Sequence, residues 1–372
     1  MSPGLLTSTR LAFIVPGYAI SSWAPLIPHV QKNIGLSPGQ LGLTLLALGA
    51  GSMSTMPLAG GLVAKVGCRR LFAGAGYAIA FILPMLALAG SASALSFTLF
   101  ALGVALGLIS CARNLHGIYT ERALNRRLMS GFHGFYSVGC ILGAGTMSVL
   151  MGLGIAPSIA ILAVSLLILI GVAVSAPQIT DERSASGPAY ARPHGVVLMI
   201  GILCFIIFMA EGSVLDWSAI LLSAHFHLDA ARAGLGYVAF AVTMTGGRLI
   251  GDRLVRRFGD RLMLTFGPLL AACGFAIAIL PVHWTLAVGG FALVGAGLAN
   301  VVPLLYSAVG RQTIMPQNLA LTAAGSIGFA GVLSGPAAIG FIAQWTNIST
   351  SFLILAALTA LVARYAPRTA PR

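Results

Sequence analysis

Acidic side chains are nearly missing from this chain: eight Asp and Glu stand among 372 residues, against 21 Lys and Arg. Charge of either sign makes up only 8% of the sequence, whereas a water-soluble domain carries roughly a quarter. The five cysteines, Cys68, Cys111, Cys140, Cys204 and Cys273, stand singly in or beside apolar runs. That scatter offers neither a disulfide framework nor a paired metal site. The chain contains no Gly-Lys-Ser nucleotide loop, no HExxH and no comparable metal cluster, so no cofactor is expected and an enzyme is disfavoured. Polar sequence is short as well: QITDERSASGPAYARPH, residues 178–194, is the longest polar stretch and holds no domain of its own.

What the chain does have is apolar length, with 58% hydrophobic residues. Runs of about 20 apolar residues are long enough to cross a bilayer as helices. Twelve spans are expected, at roughly 10–32, 41–64, 71–90, 94–118, 130–153, 157–177, 195–223, 233–251, 262–281, 284–309, 319–345 and 349–366. This predicts an all-α membrane protein of two six-helix bundles, residues 1–177 and 195–372, joined by a cytoplasmic linker at 178–194. The first run carries Pro16, Gly17, Trp23 and Pro28 without a small-residue cleavage site, which predicts a retained span and not a cleaved signal.

The formal charge of +13 is not the footprint of a nucleic-acid binder, because the basic residues follow topology instead of clustering on one polar face. They fall at Arg10, at Lys65, Arg69 and Arg70, at Arg122, Arg126 and Arg127, and at Arg183 and Arg192. The series continues through Arg253, Arg256, Arg257 and Arg261, then Arg311, then Arg364, Arg368 and Arg372. Alternate connections hold almost only Lys32 and Arg232. The positive-inside bias therefore predicts an even span number, both termini in the cytoplasm and a bacterial inner membrane location.

Features recur at an offset of roughly 190 residues, half the chain. Gly107-Leu108 in the fourth span matches Gly297-Leu298 in the tenth, Gly139 and Gly143 in the fifth match Gly331 and Gly335 in the eleventh, and Gly61 is paired with Gly251. Six spans between copies keep both copies in one orientation. Parallel repeats of this type imply a substrate site between the halves near the midplane.

The connection GGLVAKVGCRR and its later counterpart GRLIGDRLVRRFGDR resemble the Gly-x-x-x-Asp-Arg-x-Gly-Arg-Arg signature of the major facilitator superfamily. SSWAPLIPHVQKNIGLSPGQLG, LMSGFHGFYSVGCILGAG, AEGSVLDWSAILL and VVPLLYSAVGR are similar to the fucose-permease-like branch and its bacterial relatives, over essentially all of the chain. The resemblance implies twelve helices in two pseudosymmetric bundles, alternating access and a monomer. It also marks Gly61, Lys65, Gly67, Arg69, Arg70, Gly251, Asp252, Arg253 and Arg257 as gate and signature-loop residues. Two departures stand out. Ala64 replaces the usual Asp of the first loop, leaving Asp252 to carry the charge in the second half. Ser110 stands where many relatives have an acid, so the resemblance implies no coupling carboxylate there.

Ionisable groups inside a bilayer are costly and face a cavity or a partner. Glu211 and Asp216 are the only acids expected within a span. Glu211, about 24 Å along the seventh span at 1.5 Å per residue, falls in its outer half and is the proton-coupling candidate; its alternative role is a hydrogen bond between helices. Asp216, beside Trp217, is expected near the periplasmic surface as an anchor or gate residue. Arg113, Asn114 and His133 form a second group that could hold a carboxylate or sugar hydroxyls and relay a proton, or, in the case of Arg113, snorkel to the cytoplasm. Arg248, four residues before Asp252 on one helix face, is expected in the gate network. Asn300 could contact solute or bond a neighbouring helix. Tyr18 and Trp23 could supply stacking faces.

These features predict a secondary active transporter in the lipid bilayer that moves a small-molecule substrate, a polar solute such as a sugar or sugar derivative, with protons as coupling ion. A proton-driven efflux antiporter for an amphiphilic metabolite or drug and a non-transporting membrane sensor remain the alternatives.

Overall fold

The computed structural model describes residues 3–36, 38–181, 192–226, 228 and 235–371. Most of the expected linker, Arg183, Arg232 and Arg372 therefore lie outside the described residues. Thirteen α-helices follow in order: α1 Pro3–Trp23, α2 Ile27–Ile34, α3 Pro38–Val66, α4 Cys68–Leu88, α5 Ala92–Leu124, α6 Met129–Gly152 and α7 Pro157–Ser175. The second half holds α8 Gly195–Phe226, α9 Leu235–Ala278, α10 Trp284–Leu298, α11 Val301–Arg311, α12 Gln317–Trp345 and α13 Ile348–Tyr365.

Nine helical stretches among the described residues are long and apolar enough to cross a bilayer, and ten when α3, bent by 56° between Met56 and Leu58, is included. The remaining two crossings have identifiable causes. α9 has 44 residues, about 66 Å at helical rise and twice what a bilayer needs. Gly259, at φ 80° and ψ 158°, breaks it into two helices. α1 supplies the twelfth span and begins at Pro3, earlier than the sequence suggested, then passes through a short 3-10 turn at Ala24–Leu26 into α2. The tenth expected span is likewise two pieces, α10 and α11, meeting at Ala299 and Asn300.

Gly67, at φ 84° and ψ 157°, caps α4 with the same backbone geometry as Gly259. Only glycine visits this region routinely, because a Cβ clashes there. The matched pair aligns the two halves at an offset of 192, which places Ala64 opposite Arg256 and Gly60 opposite Asp252. The turn thus corrects by two residues the pairing of Gly61 with Gly251.

Two compact units divide the chain. The first comprises Met1–Arg126, Phe135–Ala191 and Pro316–Thr322, and the second Arg127–Gly134, Arg192–Met315 and Ala323–Arg372. In the first unit α3 and α4 pack on α5, and α7 packs on α4 and α1. In the second, α9 packs along α10 and α13, and α8 contacts α9, α11 and α13. Glycines set the closest approaches. A Cβ at Gly139 or Gly143 would strike the carbonyls of Ile14 or Tyr18, and one at Gly331 or Gly335 would meet those of Phe205 or Met209. One helix crossing is thereby built twice, α6 on α1 and α12 on α8, with backbone in contact. Large apolar side chains such as Phe97, Leu153, Val242 and Phe266 are exposed, as expected of faces that meet lipid.

Candidate substrate and coupling site

The charged centre of the second unit is built from α8, α9 and the break in the tenth span. Glu211 is the seventeenth of the 32 residues of α8, at the middle of that helix. Arg248 of α9 extends to it, with Nη2 3.4 Å from Glu211 Oε1 and both side chains largely withdrawn from solvent, at 11% and 20% exposure. Arg248 therefore meets Glu211, a contact that its spacing from Asp252 in the sequence did not announce. Its Nε also donates to the carbonyl of Ala299 at 3.3 Å. That carbonyl is available for a reason written in the sequence: its helical donor would be the amide of residue 303, which is proline and has none. Asn300, buried at the same break, donates from Nδ2 to the carbonyl of Gly247 at 3.1 Å. It is a helix-to-helix hydrogen bond that fixes α9 beside the break, and a Cβ at Gly251 would run into its Oδ1.

In the first unit Arg113 is buried on α5 with its guanidinium over two rings, 4.3 Å from the centroid of Tyr136 and 4.9 Å from that of Phe13. This cation–π sandwich holds the charge within the protein, so Arg113 does not snorkel. Asn114 donates to the carbonyl of Ser110 at 2.8 Å, and its buried Oδ1 has no hydrogen-bond partner among the described residues. Tyr18, half-buried on α1, lies where that helix crosses α6. Trp23 is only 4% exposed and offers no open face for stacking. His133 falls in the second unit, its ring 6.0 Å from that of Tyr306. Asp216 is exposed, ten residues before the end of α8 at Phe226 and so about 15 Å from it.

The signature loops hold separate networks. Asp252 accepts the amide of Gly131 at 3.1 Å, in the first turn of α6, so its carboxylate caps that helix and meets the positive end of its dipole. Arg69 donates to the carbonyl of Ile179 at 3.0 Å. Gly61 is buried in α3, while Lys65, Arg70 and Arg253 are exposed, and Arg257 is exposed beside the ring of Phe258. Four contributors escaped the sequence reading. Asp260, buried, pairs with Arg311 at 3.0 Å and Arg127 at 3.5 Å; its signal was the acid directly after the turn glycine in RRFGDR. His116 is fully buried and bonded at both nitrogens, to Thr9 and Thr180. Phe13 and Tyr136 were indistinguishable in sequence from ordinary membrane aromatics.

Long apolar helices, a backbone motif repeated at half-chain spacing and buried charges describe a polytopic membrane protein. The model of the Major Facilitator Superfamily matches residues 11–313 and 200–372, and the chain belongs to that superfamily. It is 44% identical to an uncharacterised MFS-type transporter of Yersinia pestis over 367 residues, 98% of this chain and 96% of that protein. Its fold superposes on the Escherichia coli fucose:proton symporter FucP with TM-score 0.80 and 16% identity, covering all of both chains. On the human organic anion transporter MFSD10 the TM-score is 0.82 with 15% identity, covering 98% of this chain and all of the other.

Proposed function

We propose that this transporter is a proton-coupled carrier for a small polar solute, such as a sugar or sugar derivative, working by alternating access with Glu211 as its coupling group. The observation that carries the reading is the Glu211–Arg248 pair at mid-helix. A carboxylate beside a fixed cation is stable when ionised; protonation releases the guanidinium and changes the bonding between α8 and α9. Proton loading is in this way tied to helix position, which is what coupling requires. The Arg113 cluster supports solute recognition. A guanidinium backed by Tyr136 and Phe13, next to the open acceptor of Asn114, suits a solute that presents hydroxyls or a carboxylate. FucP, described as a fucose:proton symporter, is compatible with both assignments.

On this reading residues 1–177 and 195–372 are the two bundles, joined by the 178–194 connection, in a monomer in the bacterial inner membrane. The alternating basic connections orient both termini to the cytoplasm.

The test uses purified protein in proteoliposomes with an internal pH dye and a panel of sugars, sugar acids and amphiphilic cations. One polar solute should drive proton entry, and Glu211→Gln should abolish it while solute binding persists. Proton movement only with amphiphiles, directed outward, would replace this reading with efflux; ligand binding without flux in any direction would replace it with a sensor.

A further inference from the structure

A basic cavity in the second unit lies away from both the Glu211 pair and the Arg113 cluster. It has a volume of about 480 Å³ and is lined by Arg261, Thr265, Arg364, Pro367 and Arg368 among others. The elements that form it explain its shape. Gly259 turns the chain so that Arg261 opens the second stretch of α9, and the 3-10 turn Ala366–Thr369 folds the end of α13 back over it. Arg368 is held 4.7 Å from the ring of Tyr365.

The charges there are uncompensated. Among the described residues no acid lines the cavity, and none of the three arginines forms an ion pair. Asp260, next to Arg261 in sequence, is turned to Arg127 and Arg311. Bringing three guanidinium groups together without a carboxylate costs electrostatic energy that an anion relieves, and guanidinium donors match phosphate oxygens in pairs. The flanks show which anion. Leu262 and Phe266 on α9, and Leu361 and Tyr365 on α13, are exposed apolar side chains, so the charged cavity borders surface suited to acyl chains. The orientation proposed above sets it at the cytoplasmic leaflet, where anionic headgroups reside.

We infer that this cavity binds the phosphodiester headgroup of an anionic phospholipid, with Arg261, Arg364 and Arg368 on the phosphate and the acyl chains along Phe266 and Leu361. The inference is independent of solute and coupling ion.

Native mass spectrometry and thermal unfolding of detergent-purified full-length protein test it, with titrated dioleoylphosphatidylglycerol, dioleoylphosphatidylcholine and inorganic phosphate as probes. Phosphatidylglycerol should bind and raise the melting temperature, and phosphatidylcholine should not. Each arginine near a charged membrane surface contributes about fivefold in affinity, so combined Arg261→Gln, Arg364→Gln and Arg368→Gln should weaken binding on the order of a hundredfold, while exposed Arg192→Gln should leave it unchanged. Should the combined variant not fold, Arg368→Gln alone should show the fivefold loss. Equal binding of the two lipids, or undiminished phosphatidylglycerol binding in the variants, would overturn the site. Inorganic phosphate binding as well as phosphatidylglycerol would overturn the lipid assignment in favour of a soluble phosphate.

Discussion

Arg248 meets Glu211 with one edge of its guanidinium and the Ala299 carbonyl with Nε, so a single side chain ties the mid-helix acid of α8 to the break in the tenth span. Whatever alters the charge on Glu211 is felt at that break.

Removing both partners of this pair should cost less than the sum of the two single truncations. Arg248→Met leaves a carboxylate without its counter-charge, and Glu211→Gln takes that counter-charge from the guanidinium; each is expected to lower stability by about 3–5 kcal/mol. The double variant should recover a coupling term of ~1–3 kcal/mol. Thermal unfolding of the four proteins in one detergent gives the cycle, and strictly additive losses would argue that the two side chains do not interact.

Pro303→Ala returns an amide to the helix and gives the Ala299 carbonyl its ordinary partner. Arg248 then loses that acceptor. Melting temperature should stay level or rise, because helical bonding is restored, while proton-driven solute uptake falls at least tenfold. Unchanged uptake in the proteoliposome assay would mean that the break has no part in transport.

Arg113→Lys keeps the charge but not the planar stack on Phe13 and Tyr136. Solute affinity is expected to drop by tenfold or more, with Arg113→Met losing detectable binding. Isothermal titration with the solute identified by the transport panel measures both, and wild-type affinity in the lysine variant would remove Arg113 from recognition.

Gly143→Val and Gly145→Ala should behave oppositely. The first drives a side chain into the Tyr18 carbonyl where α1 and α6 touch, whereas a Cβ at Gly145 meets nothing within 4 Å. The valine variant is expected to lose more than ~2 kcal/mol or fail to accumulate, and the alanine variant to be neutral or gain about 0.5–1 kcal/mol. Fluorescence-detected size exclusion and melting curves separate the two.

The span pattern and the family were legible in the sequence because apolar runs and basic connections are composition-level signals that survive any packing detail. Glu211 stood out for the same reason, as one of very few acids in a run of apolar residues. Its partner did not. Arg248 and Asp252 are four residues apart and share a helix face in sequence terms, and that local spacing hid a contact with Glu211 that spans 37 positions. The Ala299 acceptor was hidden further, since its availability comes from an amide that Pro303 lacks and not from any residue that announces chemistry. Aromatics such as Phe13 and Tyr136 acquire their role only once folding stacks them on Arg113.

The paired turns at Gly67 and Gly259 show that shape and charge descend separately in a duplicated protein. Their dihedral angles agree within a few degrees, yet the residues that follow them are Cys68 in one copy and the buried, doubly paired Asp260 in the other. A backbone bend that depends only on the lack of a side chain is indifferent to its neighbours. The same bend thus runs past a thiol in one half and carries a doubly paired acid in the other, so the charge network at this turn belongs to the second half while the bend belongs to both.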